Sequence, residues 1–441
     1  MFNQLISNKA RFIIGTDNGK DFENMYKVLS HRQTGYEKVT FDDIESFDKP
    51  TVDLSHIRFN YTYADLEKIA LQYHDIPDFF VFASSVCGVK IDDEFALSLI
   101  GAPEEKTDRY LRAIITIDDK PFTMRVVPDG WGDSKSRLST NFHIKGTSLF
   151  LEDIEIGQIT SYCNLCSINN IAYISKNLQD KNVLCVNPLQ SCYQGCKFCL
   201  RTQEVYSKGK KTELLNLSPE QLCRYLCSEL PDIQFENLNE FYISTGRFRD
   251  TNHVLDYLRG LQKSIFEQYG SKFDPIRRQD QWFKVSTHLL NTLDSMKEAQ
   301  SLGVKKYLYP IEIVSDMKRK FFMHRSGLME NKGEVSFEEV ISVLDLASSV
   351  FGKTNIEPVL IIGIDTHMDT MKALRILKSE GYRMISYNVF RAYYEEQLQY
   401  YYMDFGEIVD VVAFIDSNFS SGYSQIVDLN NKSVRKSYIG L

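Results

Sequence analysis

Cys192-Tyr193-Gln194-Gly195-Cys196-Lys197-Phe198-Cys199 places three thiols within eight residues in a C-x3-C-x2-C spacing, with an aromatic residue directly before the last one. Three thiolates this close, with Gly195 giving the loop freedom to wrap, can ligate three corners of a cubane iron–sulfur cluster, which ordinarily takes four cysteines. The sequence has no cysteine after Cys227, and Cys223 and Cys227 fall on the apolar stripe of a helix, so a fourth thiolate has to come from upstream or be absent. An absent ligand leaves one iron open, which points to chemistry at that iron and not to simple electron transfer. A structural zinc loop is the competing reading. Zinc needs four ligands, typically as paired C-x2-4-C units, and no second pair follows closely.

The octet resembles the signature of the radical S-adenosylmethionine (radical SAM) superfamily. The resemblance implies that Cys192, Cys196 and Cys199 hold a 4Fe-4S cluster whose open iron is chelated by S-adenosylmethionine. It further implies that reductive cleavage of that cofactor yields a 5′-deoxyadenosyl radical, which abstracts a hydrogen atom from substrate. Phe198, the aromatic of the signature, belongs to the same cofactor site.

Outward from the octet, the sequence alternates between short apolar runs and helical stretches. Val183-Leu184-Cys185-Val186 is a strand leading through Asn187-Pro188 into the cysteine loop. Ser218-Pro219-Glu220-Gln221 opens a helix with a cap residue, a proline at the first helical position and a Gln that closes a capping box. Its apolar stripe includes Cys223 and Cys227, which reads as core. Strands at 241–244, 283–286, 307–313, 358–363 and 383–390 follow, separated by helices near 251–269, 291–302, 336–351 and 368–380. Gly270, Gly303, Gly352 and Gly381 stand just past the four helices, where a C′ glycine is favoured. Six strands with intervening helices predict parallel βαβ units. The resemblance implies a partial (β/α)6, TIM-like barrel over residues 181–394.

Chemistry in parallel barrels sits at the C-terminal ends of the strands, and the cysteine loop follows the first one. The other strand ends therefore nominate residues. Ser244-Thr245-Gly246-Arg247 ends the second strand, where the family carries a Gly-Gly-Glu-like turn whose backbone meets the methionine amino group. One glycine and no acid stand here, so Thr245 and Gly246 carry that backbone role over and Arg247 is a candidate carboxylate partner. Ser286, Thr287 and His288 end the third strand as ribose or substrate contacts, or as a plain capped strand end. Glu312 lies in an otherwise apolar fourth strand, where an unpaired carboxylate is costly to bury. Cofactor binding, outward exposure and pairing with a lysine or arginine are all open to it. Ile361-Ile362-Gly363-Ile364-Asp365 resembles the fifth-strand motif that packs adenine, which nominates Gly363. Asn388 and Arg391, at the sixth strand end, are substrate candidates.

Residues 1–180 read as a separate mixed α+β domain, and 395–441 as an extension packing on the barrel. In the first, 111–117 and 122–127 flank Asp118-Asp119-Lys120-Pro121 as a hairpin. A further strand is predicted near 147–151 and a helix over 65–73 behind an Asp65 cap. Cys163 and Cys166 form a C-x2-C pair that, with Cys185, either binds a second metal or supplies buried thiols.

Composition narrows the function. A chain of 441 residues with 43% hydrophobic and 25% charged residues is a soluble multidomain protein. A net charge of −8 disfavours a nucleic-acid groove, and Lys208-Gly209-Lys210-Lys211 and Lys318-Arg319-Lys320 read as solvated faces. Neither a secretory h-region nor a membrane-length apolar run is evident, and nine cysteines without a disulfide pattern suit a reducing cytoplasm. The reading is an enzyme acting on a small molecule (sugar, nucleoside or amino acid), supplied with electrons by a flavodoxin or ferredoxin. A peptide- or protein-modifying enzyme, an iron–sulfur sensor and a zinc-stabilised binding protein are the alternatives.

Overall fold

The computed structural model describes residues 58–71, 79–91, 112–117, 120–127, 139–164, 172–176, 182–188, 194–199, 217–229, 238–244, 248–269, 282–324, 331–392, 397 and 400–424. Two barrels account for nearly all of them.

The first is small and closed. Its strands are β1 (Val89–Ile91), β2 (Arg112–Ile117), β3 (Lys120–Val127), β4 (Phe142–Lys145), β5 (Ser148–Leu151) and β6 (Ile154–Asn164), in the order β1-β3-β2-β6-β5-β4. The hairpin expected around residue 119 is present as β2 and β3, which pair antiparallel from Arg112 opposite Arg125 to Ile117 opposite Lys120. β4 and β5 are joined by a two-residue turn in which Gly146 takes a φ of 60°, a conformation glycine adopts without strain. Three-residue β1 closes the ring by running parallel to both β3 and β4. Phe142, Ile144, Leu149, Leu151 and Met124 are fully buried.

Two helices accompany this barrel. α1 (Tyr63–Ala70) begins earlier than the sequence suggests: its cap is Thr62, and Asp65 is the third helical residue, reaching back to the cap backbone. The Asp65 cap is thereby corrected, because the threonine hydroxyl three residues upstream satisfies the Asp65 amide. α2 (Phe79–Cys87) is apolar almost all round and buried along its length, with Phe80 half-buried.

The second barrel is an eight-stranded open sheet in the order β14-β13-β12-β11-β10-β9-β8-β7. Its strands are β7 (Ala172–Lys176), β8 (Asn182–Val186), β9 (Leu238–Ser244), β10 (Trp282–Ser286), β11 (Val304–Glu312), β12 (Ile356–Ile362), β13 (Met384–Val389) and β14 (Ser420–Ser424). The helices are α3 (Pro219–Glu229), α4 (Thr251–Tyr269), α5 (Leu293–Ser301), α6 (Asp316–Met323), α7 (Phe337–Phe351), α8 (His367–Ser379) and α9 (Phe405–Asn418). β8 through β13 are the six parallel strands expected, in chain order, and they make a partial (β/α)6 barrel. β14 adds a parallel strand beyond β13, and β7 lies antiparallel on the β8 edge. The capping box at Ser218 forms as expected, with Gln221 accepting from the Ser218 amide at 2.8 Å. Gly352 ends α7 at a φ of 82°.

Alternation along these strands separates two faces. Phe241, Ile243, Phe283, Val285, Tyr307, Tyr309, Ile311, Leu360, Ile362, Ile385 and Tyr387 are buried in the main core. The opposite, concave face carries Glu240, Tyr242, Ser244, Lys284, Ser286, Lys306, Glu357, Ser386 and Asn388. Half-way along it, Lys284 Nζ lies 2.7 Å from Glu357 Oε2, and Lys306 pairs with Glu240. The Ser386 hydroxyl donates to Glu357. Each ion pair skips one strand, a span of about 9.5 Å in a flat sheet, so together they brace the curvature across β9 to β12. Burial pulls the Lys284 pKa down, but the Glu357 and then the Glu240 carboxylates hold it above the usual lysine range.

Replacing Lys284 with Met leaves Glu357 buried without its cation. A loss of about 3–5 kcal/mol in unfolding free energy is expected from denaturant titration. The K284M/E357L double variant recovers most of that loss, because no lone charge remains.

Candidate functional site

The cysteine loop leaves the C-terminal end of β8. Cys196 and Cys199 are among the described residues; Cys192 lies outside them. Gly195 has a φ of 66°, which turns the loop back on itself, and the Cys199 amide donates to the Cys196 carbonyl at 3.0 Å. Cys196 and Phe198 are buried and Cys199 is half-buried.

Neighbours fix the loop from three sides. The Lys197 amide donates to the Phe322 carbonyl of α6 at 2.9 Å, and the Lys197 carbonyl accepts from Gln397 Nε2 at 2.9 Å. The Lys197 ammonium sits 4.7 Å from the centre of the Phe321 ring. Buried Gln194 places its Nε2 3.2 Å from His288 Nε2 beyond β10, and its Oε1 accepts from the Lys332 amide at 3.4 Å. Sequence reasoning had no signal for this Gln194 bridge, since none of its partners is close in sequence.

Glu312, the last residue of β11, has a φ of 62°, a left-handed conformation that costs a side-chain-bearing residue about 1–2 kcal/mol. Its Oε2 lies 2.5 Å from Lys332 Nζ, on a short 3-10 turn at 332–334. Of the options open in the sequence, pairing with a lysine is the arrangement present. Arg319, on α6, is fully buried and donates to four backbone carbonyls: Ile311 at 2.7 Å, Ile313 at 2.8 Å, Lys332 at 3.1 Å and Val335 at 2.7 Å. The basic run at 318–320 is therefore not a solvated face. Lys318 is buried too, with its Nζ 2.9 Å from the Ile364 carbonyl and 3.3 Å from the centre of the Tyr402 ring.

At the end of β12, Gly363 has a φ of 113°, and a Cβ there would meet Phe390 Cβ at 3.4 Å. Its carbonyl accepts from the Tyr402 amide at 2.7 Å. Asp365 is buried and accepts from the Val314 and Ser315 amides at 2.7 and 3.1 Å. Burial pushes its carboxyl up to about 6, against the pull of Lys318 and the two amides.

Ser286 is half-buried on the concave face, where it and Ser244 are hydrogen-bonded to the Tyr242 phenol. Thr287 turns inward locally, its hydroxyl accepting from the Leu289 amide at 3.1 Å. Asn388 is half-buried on the concave face. Arg391 is buried, and its Nη2 contacts Ser85 Oγ of α2 at 3.4 Å. Thr245, Gly246 and Arg247 lie outside the described residues, as does Cys166. Cys163 falls on β6 in the small barrel, while Cys185 falls on β8 in the large sheet and is buried. Among the described residues no group of three or more His, Cys, Asp or Glu is placed to hold a metal ion. Cys223 is core, as expected for α3, and burial pushes its thiol up to about 12. No described helix is long and apolar enough to cross a membrane.

Gathered at one edge are thus the cysteine loop and the ends of β10, β11 and β12. That is the arrangement implied by the radical SAM resemblance: a six-strand parallel half-barrel with the cysteine loop after its first strand. No protein-family model matches the sequence, and no curated protein matches it. Solved structures do align. The FeFe-hydrogenase maturase HydG from Carboxydothermus hydrogenoformans is 15% identical with a TM-score of 0.38, over 54% of this chain and 52% of that one. Methylornithine synthase, PylB, is 12% identical with a TM-score of 0.36, over 54% and 63%. anSMEcpe with bound AdoMet is 11% identical with a TM-score of 0.32, again over 54% and 63%. This chain covers less than two thirds of each, and at such scores no residue role passes from them to it.

Asp365 gives the site a pH signature. Its folded-state pKa lies above the unfolded value, so protonation favours the fold and stability falls as pH rises between about 4 and about 6. Relative to Asp365→Asn, the protein is expected to be about 1 kcal/mol more stable at pH 5 than at pH 7 in denaturant titrations.

Proposed function

We propose that the chain is a radical SAM enzyme, in which Cys192, Cys196 and Cys199 hold a 4Fe-4S cluster and the strand ends around them bind S-adenosylmethionine. The observation that carries this reading is the position of the C-x3-C-x2-C loop at the C-terminal end of the first strand of a parallel half-barrel, with no cysteine after Cys227 and with Cys223 buried in the core of α3. The residues fit the group: two soft donors, Cys196 and Cys199, share one tight turn whose backbone is tied to α6. When bound, the cluster and S-adenosylmethionine supply reductive cleavage and a 5′-deoxyadenosyl radical that abstracts hydrogen from substrate.

The chain's own residues hold, orient and enclose. Phe198 is buried within the loop itself. Glu312 offers a carboxylate to hydroxyl or ammonium donors, beside the Lys332 ammonium. Gly363, at a φ of 113° that favours glycine, turns the chain at the end of β12 to shape the adenine side of the site. Thr245 and Gly246 supply backbone contacts from the second strand end, and Ser286 a hydroxyl from the third.

A small polar substrate suits the concave face. Tyr242, Ser244, Ser286 and Asn388 line it, while the Lys284–Glu357 and Lys306–Glu240 pairs close it below. A sugar, nucleoside or amino acid meets those groups better than an apolar chain does. Electrons come from a flavodoxin or ferredoxin in a reducing cytoplasm.

Anaerobic reconstitution tests the reading. About four irons and four sulfides per chain are expected, with reductive formation of 5′-deoxyadenosine from S-adenosylmethionine. Zinc alone, or a cluster without cleavage, overturns the assignment. Cys196→Ala abolishes cleavage, and Glu312→Gln weakens S-adenosylmethionine binding about tenfold by equilibrium dialysis.

A further inference from the structure

Arg319 is an expensive residue to bury. It is fully enclosed, and the four partners described above are carbonyls and not carboxylates. A guanidinium in such a place carries a desolvation cost that an apolar side chain of similar volume avoids, so what it grips identifies its role. Nη1 bonds the carbonyls of Ile311 and Ile313, the residues on either side of Glu312. Nη2 bonds the carbonyl of Lys332, the residue whose ammonium meets Glu312.

Both halves of one charge pair are therefore held by one side chain. The turn after Lys332 leaves no slack: a Cβ on Gly333 would come within 2.5 Å of the His324 amide nitrogen and 2.9 Å of the Arg319 carbonyl oxygen. The Lys332 amide continues the connection to Gln194 in the cysteine loop.

We propose that Arg319 is a positioning residue for the cofactor site: by gripping the backbone on both sides of Glu312 and at Lys332, it fixes the carboxylate–ammonium pair that S-adenosylmethionine engages at the end of β11. This rests on the radical SAM reading. Arg319 itself stays out of contact with the ligand and acts through Glu312. Its removal lets the left-handed residue relax, and the carboxylate leaves its bound orientation.

A double-mutant cycle on S-adenosylmethionine affinity, read by equilibrium dialysis on the reconstituted protein, separates this from a general packing role. Arg319→Lys keeps the charge and the buried stem but not the fork, and is expected to weaken binding about tenfold, equivalent to about 1.4 kcal/mol. In the E312Q background the same change is expected to weaken binding by less than about twofold, because the residue it acts through is already disabled. Gly333→Ala, which displaces the Lys332 turn without touching the guanidinium, should show the same loss and the same non-additivity. Additive losses, or wild-type affinity in R319K, overturn the proposal and leave the enzyme reading intact. Failure of the unaltered protein to bind S-adenosylmethionine overturns both.

Discussion

Curvature is the condition on which the large barrel depends. A sheet with helices on one side has a second face that water would fill unless the strands wrap around it. Two ion pairs set the wrap: Lys284 with Glu357 across β11, and Lys306 with Glu240 across β10. Because the pairs overlap on four consecutive strands, neither strand pair can splay without pulling on the other. They also divide the concave face into a charged, neutralised lower level and an upper level of hydroxyls, an amide and apolar side chains.

The C-terminal strand edge has the complementary difficulty, since backbone groups there have outrun the ladder that satisfied them. The protein answers with buried charges matched to the group in need. Asp365 takes the Val314 and Ser315 amides, while Arg319 takes the Ile311 and Ile313 carbonyls. An acid and a base thus clasp the same segment from opposite sides. Glu312, in its left-handed conformation between them, is held rather than free to relax.

Much of this architecture was legible in the sequence because its signals are local. Apolar runs marked β8 to β13, glycines marked helix ends, and the cysteine octet marked the loop. Ser420-Ser421-Gly422-Tyr423-Ser424 gave no such sign for β14: a polar edge strand has no apolar periodicity to read. The closure of the small barrel depends on β1, three residues long, pairing with two strands distant in sequence. Arg319 was misread for a different reason. Composition sees a basic run of three, whereas its burial depends on carbonyls supplied by β11 and the 332–335 turn. Glu312 stood out as a carboxylate among apolar residues, yet its partner Lys332 lies 20 positions away with nothing to announce it.

Phe405 opens α9, and its ring lies 5.6 Å from each of the rings of Tyr61, Phe79 and Phe82, which belong to the small-barrel side. Its amide donates to the Tyr61 hydroxyl at 3.2 Å, and three residues earlier the Tyr402 amide holds the Gly363 carbonyl. One short segment therefore shares its aromatic core with one barrel and its backbone with the C-terminal strand edge of the other. Among the described residues the two bodies share a common apolar interior. Cutting either body away would bare apolar residues that now lie in one continuous buried cluster.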